Sequence, residues 1–337
     1  MMRQKAGECT LFLAALLAAS VILPPASKGQ DSPPPDIETL YDSGQYGQAV
    51  EALQVAVKRS PQDASLDYWL GRSLFEVREF SKAIESFERA VKIDTNSSNY
   101  HDWLGRAYGR KAEENSHSNM PAALPPARRA HHEFEVAVQL DATNIQAQRD
   151  LITFEANAPE SLGGGEEHVL ERIRALSAVD AAEGTLALAD LYATRKKFDQ
   201  ADAEYQKVLE SGSDRIDRYF EVADYYLDRH DSQHTEEAVD GAAKIAPSDR
   251  RLSYYRGAAF VLAKRDPTVA EKDLRTYIDG VPENSEFPSH ASAYEWLGRL
   301  YESENEPDLA AEQYRAGLSL DPRNKGLQEA LKKLQRR

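Results

Sequence analysis

Cysteine is almost absent from this chain: among 337 residues there is one, Cys9. It precedes every segment read below as folded, so disulfide scaffolds, cysteine nucleophiles and thiolate metal sites are excluded from the mature fold. Positive charge is also scarce. Lys and Arg total 41 against 56 Asp and Glu, a formal net charge of −15. Such a surface repels phosphate backbones, which excludes nucleic acid as a partner. Only one apolar run, Leu11 to Leu23, has any length, and its thirteen positions fall short of the roughly 20 a membrane-spanning helix needs. Catalytic signatures are missing too: there is no Gly-x-Ser-x-Gly elbow, no Walker loop and no Rossmann glycine fingerprint. Carboxylates are plentiful, but no acid and base pair stands out from a solvated helical face. The expectation is a protein that is not an enzyme and carries no cofactor or metal.

What is present begins with an address. Arg3 and Lys5 precede the apolar run and Pro24-Pro25 ends it, the pattern of a cleavable secretory signal over residues 1–29. Ala18-Ala19-Ser20 and the vicinity of Ala26-Ser27 both suit a signal peptidase. Export to the periplasm or the extracellular space follows, with no stable membrane span after cleavage; an uncleaved anchor is the competing reading. Cys9 lies ahead of the run, too early to be a lipid-modified residue behind it. Residues 30–35 are polar and proline-rich and are expected to form a disordered linker.

The rest of the chain is periodic. Tyr46, Ala49, Leu53 and Ala56 recur as Phe80, Ala83, Phe87 and Ala90, and Leu70-Gly71 recurs as Leu104-Gly105, every offset being 34 residues. The unit Ala64 to Thr95 carries Leu70, Gly71, Leu74, Ala83, Phe87 and Ala90. The unit Ala291 to Pro322 repeats it with Leu297, Gly298, Tyr301, Ala310, Tyr314 and Gly317. On these residues the chain resembles bacterial tetratricopeptide repeat proteins from residue 36 to its end. The resemblance implies an all-α fold, a right-handed α-solenoid of about eight antiparallel helical hairpins, closed by a capping helix from about Lys325 to Gln335.

Each repeated residue has a packing reason. Gly71, Gly105 and Gly298 are placed where the two helices of a hairpin cross and a side chain would hold them apart. Leu74, Tyr108, Phe87 and Phe134 are expected to fill the space between hairpins. Pro61, Pro247, Pro282 and Pro322 mark the ends of second helices, because proline disfavours a helical residue before it. Leu104 and Ala130 are 26 residues apart where Leu70 and Ala83 are 13 apart, which locates an insert at residues 113–126. Its Ser, Asn and Pro content predicts a loop. Residues 159–165 read as a glycine-rich turn; Glu166 and Glu167 behind it already answer the helix dipole, so phosphate binding is not expected there.

Three tryptophans share one context: Trp69-Leu70-Gly71-Arg72, Trp103-Leu104-Gly105-Arg106 and Trp296-Leu297-Gly298-Arg299. In tetratricopeptide arrays the first helices line a concave groove, and the resemblance implies that the position after the glycine faces it. Arg72, Arg106 and Arg299, with Tyr68 and Tyr254 as aromatic neighbours, are therefore the candidate groove residues for a protein or peptide partner, through a carboxylate or an extended segment. The paired Lys and Asn residues of known carboxylate-binding repeats are not visible. In the competing reading each arginine pairs with a neighbouring Asp or Glu and each Trp packs between hairpins. The expected function is an exported protein-interaction scaffold. The alternative is an envelope enzyme or metal-dependent factor with a site in the 113–126 insert or near His230 and His234, whose spacing would suit one metal if the segment were helical. A small-ligand module using the groove is a third reading. His131-His132 are adjacent and point to different faces of a helix, and no histidine occupies position 136 to complete a zinc-protease pattern.

Overall fold

The computed structural model describes residues 33–116 and 120–335. The signal sequence predicted over residues 1–29 lies outside them, as do residues 30–32 of the predicted linker. That linker was expected to reach residue 35, but the first helix begins at Pro35, where a proline is accommodated because first-turn amides have no helical acceptor. Among the described residues the protein is all α-helical and forms a helical-repeat solenoid: seventeen α-helices and no strand.

The helices pair in chain order: α1 (Pro35–Asp42) with α2 (Tyr46–Arg59), α3 (Ala64–Glu76) with α4 (Phe80–Ile93), α5 (Ser98–Ser116) with α6 (Met120–Leu140), and α7 (Ile145–Asn157) with α8 (Glu166–Val179). They continue as α9 (Ala181–Thr194) with α10 (Phe198–Ser211), α11 (Ile216–Asp228) with α12 (Ser232–Ile245), α13 (Arg251–Ala263) with α14 (Pro267–Gly280), and α15 (His290–Ser303) with α16 (Pro307–Leu320). A single helix, α17 (Lys325–Leu334), follows and seals the last hairpin with Leu327. Buried apolar side chains form a thin ribbon along the array, one set running from Ile37 to Ala107 and another from Leu186 to Leu300.

Local chemistry sets the boundaries. Asp63, Asn144, Asp180 and Asn324 each accept a backbone N–H at the start of the following helix, satisfying a donor that helix geometry leaves free. Pro61, Pro247, Pro282 and Pro322 fall two residues beyond the last residues of α2, α12, α14 and α16. The turn inside a hairpin carries a left-handed residue: Arg78 at φ 62°, Lys196 at 57°, His230 at 58° and Lys264 at 50°. The last three are spaced 34 residues apart, so this turn is a repeated element.

Phe87 and Phe134 reach the next hairpin, their ring centres lying 6.1 Å from those of Trp103 and Phe154. Each also seats its ring on the glycine of its own hairpin, where a Cβ on Gly71 or Gly105 would come within 2.6 or 2.7 Å of it. Tyr314 does the same at Gly298. The glycine thus receives an aromatic ring from the second helix.

The predicted loop at 113–126 is also corrected: residues 113–116 extend α5 and residues 120–126 open α6. Residues 117–119 lie outside the described set. Ala112 and Ala123 are buried in the lengthened hairpin. Pro126 cannot donate the helical hydrogen bond to the Ala122 carbonyl, and Asn115 Nδ2 donates to that carbonyl instead, at 3.0 Å.

Candidate functional site

Arg72 and Arg106 stand at equivalent positions of α3 and α5, and the structure brings them together around one tryptophan. The Arg72 guanidinium lies 4.3 Å and the Arg106 guanidinium 4.7 Å from the centre of the Trp103 ring. Arg72 also lies over Trp69 at 4.8 Å and Tyr41 at 4.9 Å, an aromatic enclosure suited to a weakly hydrated cation. Burial opposes the charge on Arg72, but Tyr41, Tyr68 and Glu286 together raise its pKa.

Both arginines face a carboxylate from far along the chain. Arg72 Nη2 lies 3.5 Å from Glu286 Oε2, and Arg106 Nη1 lies 3.6 Å from Glu286 Oε1. At these separations the pairs attract without hydrogen bonding. Among the described residues Arg72 Nε is buried with no hydrogen-bond partner. Glu286 belongs to the segment between α14 and α15, which is fixed on either side of it. Ser285 donates from its backbone N–H and its hydroxyl to Glu76, each at 2.8 Å. The Phe287 ring lies 4.8 Å from the Arg251 guanidinium. Burial raises the pKa of Glu76, and the bonds from Ser285 oppose that rise.

The two arginines are not equivalent electrostatically. Arg106 is anchored by Asp150 at 2.5 Å and Asp102 at 3.2 Å. Burial, then repulsion from Asp150, holds the Asp102 carboxyl well above the usual range, with Arg106 opposing both. Arg299 is half-buried over Trp296 and paired with Glu295 at 2.6 Å, so it follows the competing reading of a locally paired arginine. The tryptophans are all buried.

The aromatic candidates are corrected. Tyr68 is 5% exposed, packed against Tyr100 at 4.8 Å between hairpins. Tyr254 is also 5% exposed, and its hydroxyl accepts from Trp296 Nε1 at 3.2 Å. Both are core residues. Each histidine of the His230 and His234 pair has another partner. His230 occupies the left-handed turn rather than a helix, which breaks the register that would bring its ring to His234, and its Nδ1 lies 3.1 Å from the Leu227 carbonyl. His234 Nδ1 pairs with Asp231 at 2.7 Å, and its ring stacks on Tyr226 at 4.7 Å. Residues 159–165 form a turn, with Gly163 left-handed at φ 90° and Glu166 held by Lys197 at 2.8 Å.

Further along, Arg149 of α7 reaches Asp190 of α9 at 2.7 Å and contacts Glu221 of α11, joining the first helices of three hairpins. A cavity of about 340 Å³ opens there, walled by Ile152, Leu191, Tyr205, Asp224 and Asp228 as well. Burial, then repulsion from Asp190, pushes Glu221 up to about 8; burial pushes Asp224 up to about 7. Sequence reasoning missed this site because Arg149 lies outside the Trp-Leu-Gly-Arg tetrapeptide and its acidic partners come from degenerate repeats.

The tetratricopeptide repeat family model matches residues 37–98 and 262–325, which include the Arg72 hairpin at one end and the Arg299 hairpin at the other. These two segments carry tetratricopeptide repeats. No curated relative matches the chain. Among solved structures, a monomeric mutant of IFIT1 with Gppp-AAAA is similar over 90% of this chain and 72% of its own, at 13% identity and a TM-score of 0.53. A tetratricopeptide repeat protein from Parabacteroides merdae is similar over 89% of this chain and 96% of its own, at 14% identity and a TM-score of 0.46. The thermophilic protein TTC0263 of Thermus thermophilus is 22% identical over 57% of this chain and 95% of its own, with a TM-score of 0.46. The IFIT1 likeness shows a shared fold. No helix among the described residues is long and apolar enough to cross a membrane.

Proposed function

We propose that this chain is an exported protein-interaction scaffold whose Arg72–Trp103–Arg106 face receives a carboxylate-bearing segment of a partner protein. Tetratricopeptide folds generally mediate protein–protein contact. The observation that carries the specific reading is that guanidiniums from two successive hairpins converge on one carboxylate, Glu286, presented on a peptide segment. Glu286 holds the place of a partner's side chain or C-terminus. It is half-exposed and sits beyond hydrogen-bond reach, so a carboxylate able to make the full bidentate contact displaces it at little cost. The leader read at residues 1–29 supports export.

The test is recovery of a bound partner from the native host with the mature chain as bait. Arg72→Gln is the diagnostic variant, because Arg106 is also tied to Asp102 and Asp150 and its loss would disturb that buried pairing as well. Recovery that is lost in Arg72→Gln while the helical circular-dichroism signal is kept supports the reading. Undiminished recovery overturns it.

A further inference from the structure

We infer that a divalent transition-metal ion, zinc by its donor set, binds between α6, α7 and α8 on His131, Glu135 and Glu155, with the half-exposed His168, 3.3 Å from Glu155, as a fourth donor. Glu155 is wholly buried, yet its Oε1 is approached by His131 Nε2 at 3.0 Å and by His168 Nε2 at 3.3 Å. His131 Nδ1 lies 3.8 Å from Glu135 Oε2, one helical turn along the same face. Donor atoms of His131, Glu135 and Glu155 all fall within 4.8 Å of one another.

Three features favour an ion over a closed hydrogen-bond network. Ligands held about 2.0–2.1 Å from a tetrahedral zinc lie about 3.3 Å apart, close to the 3.0 and 3.3 Å that separate His131 Nε2 and His168 Nε2 from Glu155 Oε1. The network is also incomplete: among the described residues Glu155 Oε2 is buried with no hydrogen-bond partner. A buried carboxylate with an unmatched oxygen is costly, and a cation bound to it removes that cost. Gly163 supplies the room. Its Cβ would lie 2.5 Å from both Cε1 and Nε2 of His131, so any other residue would crowd the imidazole where it faces Glu155.

Among the described residues Arg172 is the cation paired with these carboxylates, 3.4 Å from both Glu135 and Glu155. Those are long contacts. With two carboxylates present, an ion and Arg172 together leave one net positive charge, which the acidic surroundings accept. His168 is 44% exposed and gives the ion its entry. Imidazole and carboxylate donors suit zinc among the available divalent ions, and the bound ion would clip the third hairpin to the fourth.

The experiment titrates the purified, untagged full chain with Zn²⁺ by calorimetry and with Co²⁺ by visible absorption. The expected result is one Zn²⁺ per chain and a tetrahedral Co²⁺ spectrum. His168→Gln, whose half-exposed ring is removable without unfolding, weakens binding at least tenfold, as does His131→Gln. Gly163→Ala weakens it as well. A folded wild-type chain that takes up no Zn²⁺ at millimolar concentration, or equal uptake by His168→Gln, overturns the inference.

Discussion

Arg72 on the second hairpin lies 3.5 Å from Glu286 in the segment that leads into the eighth, a contact that neither residue's own repeat supplies. Replacing Glu286 by Gln removes the internal competitor and little else. Glu286 is half-exposed and its contact with the enclosed Arg72 is not a hydrogen bond, so stability should change by less than about 1 kcal/mol. Affinity for a glutamate-rich peptide, read by fluorescence anisotropy, should rise severalfold in Glu286→Gln and fall in Arg72→Gln. An unchanged dissociation constant in Glu286→Gln would show that Glu286 does not hold the partner's place.

The repeat was legible because its packing residues must recur at a fixed offset. Gly71 needs a ring from α4, and Phe87 is that ring. The candidate site was legible only in part. Leu66 to Gly71 is buried without a break, because α3 is enclosed by its own partner helix and by the next hairpin. Helical periodicity then cannot separate an outward-facing aromatic from a core one, which is why the expectation for Tyr68 and Tyr254 fails. Glu286 and the Glu155 cluster are contacts between distant or degenerate repeats, and no local pattern encodes them.

The ring-on-glycine contact predicts a reversal of helix propensity. Alanine is favoured over glycine in a helix by about 1 kcal/mol, yet Gly298→Ala places a Cβ 2.2 Å from Tyr314. Tyr314 is wholly buried, and its hydroxyl is held by Glu302 at 2.8 Å, so the ring has nowhere to move. A net loss of about 1–3 kcal/mol is expected. Gly47→Ala in α2, with nothing within 4 Å, should instead stabilise by about 0.4–1 kcal/mol. Urea midpoints of the two variants should move in opposite directions.

Asn115 and Pro126 should be energetically coupled. Asn115→Ala leaves the Ala122 carbonyl without the donor that Pro126 withholds, at a cost of about 1 kcal/mol. With Pro126→Ala the backbone N–H of residue 126 takes that carbonyl. The cost of Asn115→Ala should then shrink toward zero in the double-mutant cycle. An additive cycle would mean that Asn115 does not replace the missing helical bond.

Glu221 and Asp224 should make the array less stable as pH rises. Their folded pKa values, about 8 and about 7, lie above the ordinary carboxylate range. Between pH 4.5 and 8 the folded state therefore binds more protons than the unfolded chain, and stability falls with increasing pH. The melting temperature should be higher at pH 6 than at pH 8.5, by on the order of 2 °C for each kcal/mol in a chain of this size. Glu221→Gln keeps a hydrogen-bonding group beside Arg149 and Asp190 but cannot ionise. It should flatten the profile by raising the melting temperature at pH 8.5 more than at pH 6. A variant as pH-sensitive as the wild type would assign the slope to other carboxylates and remove Glu221 from the account.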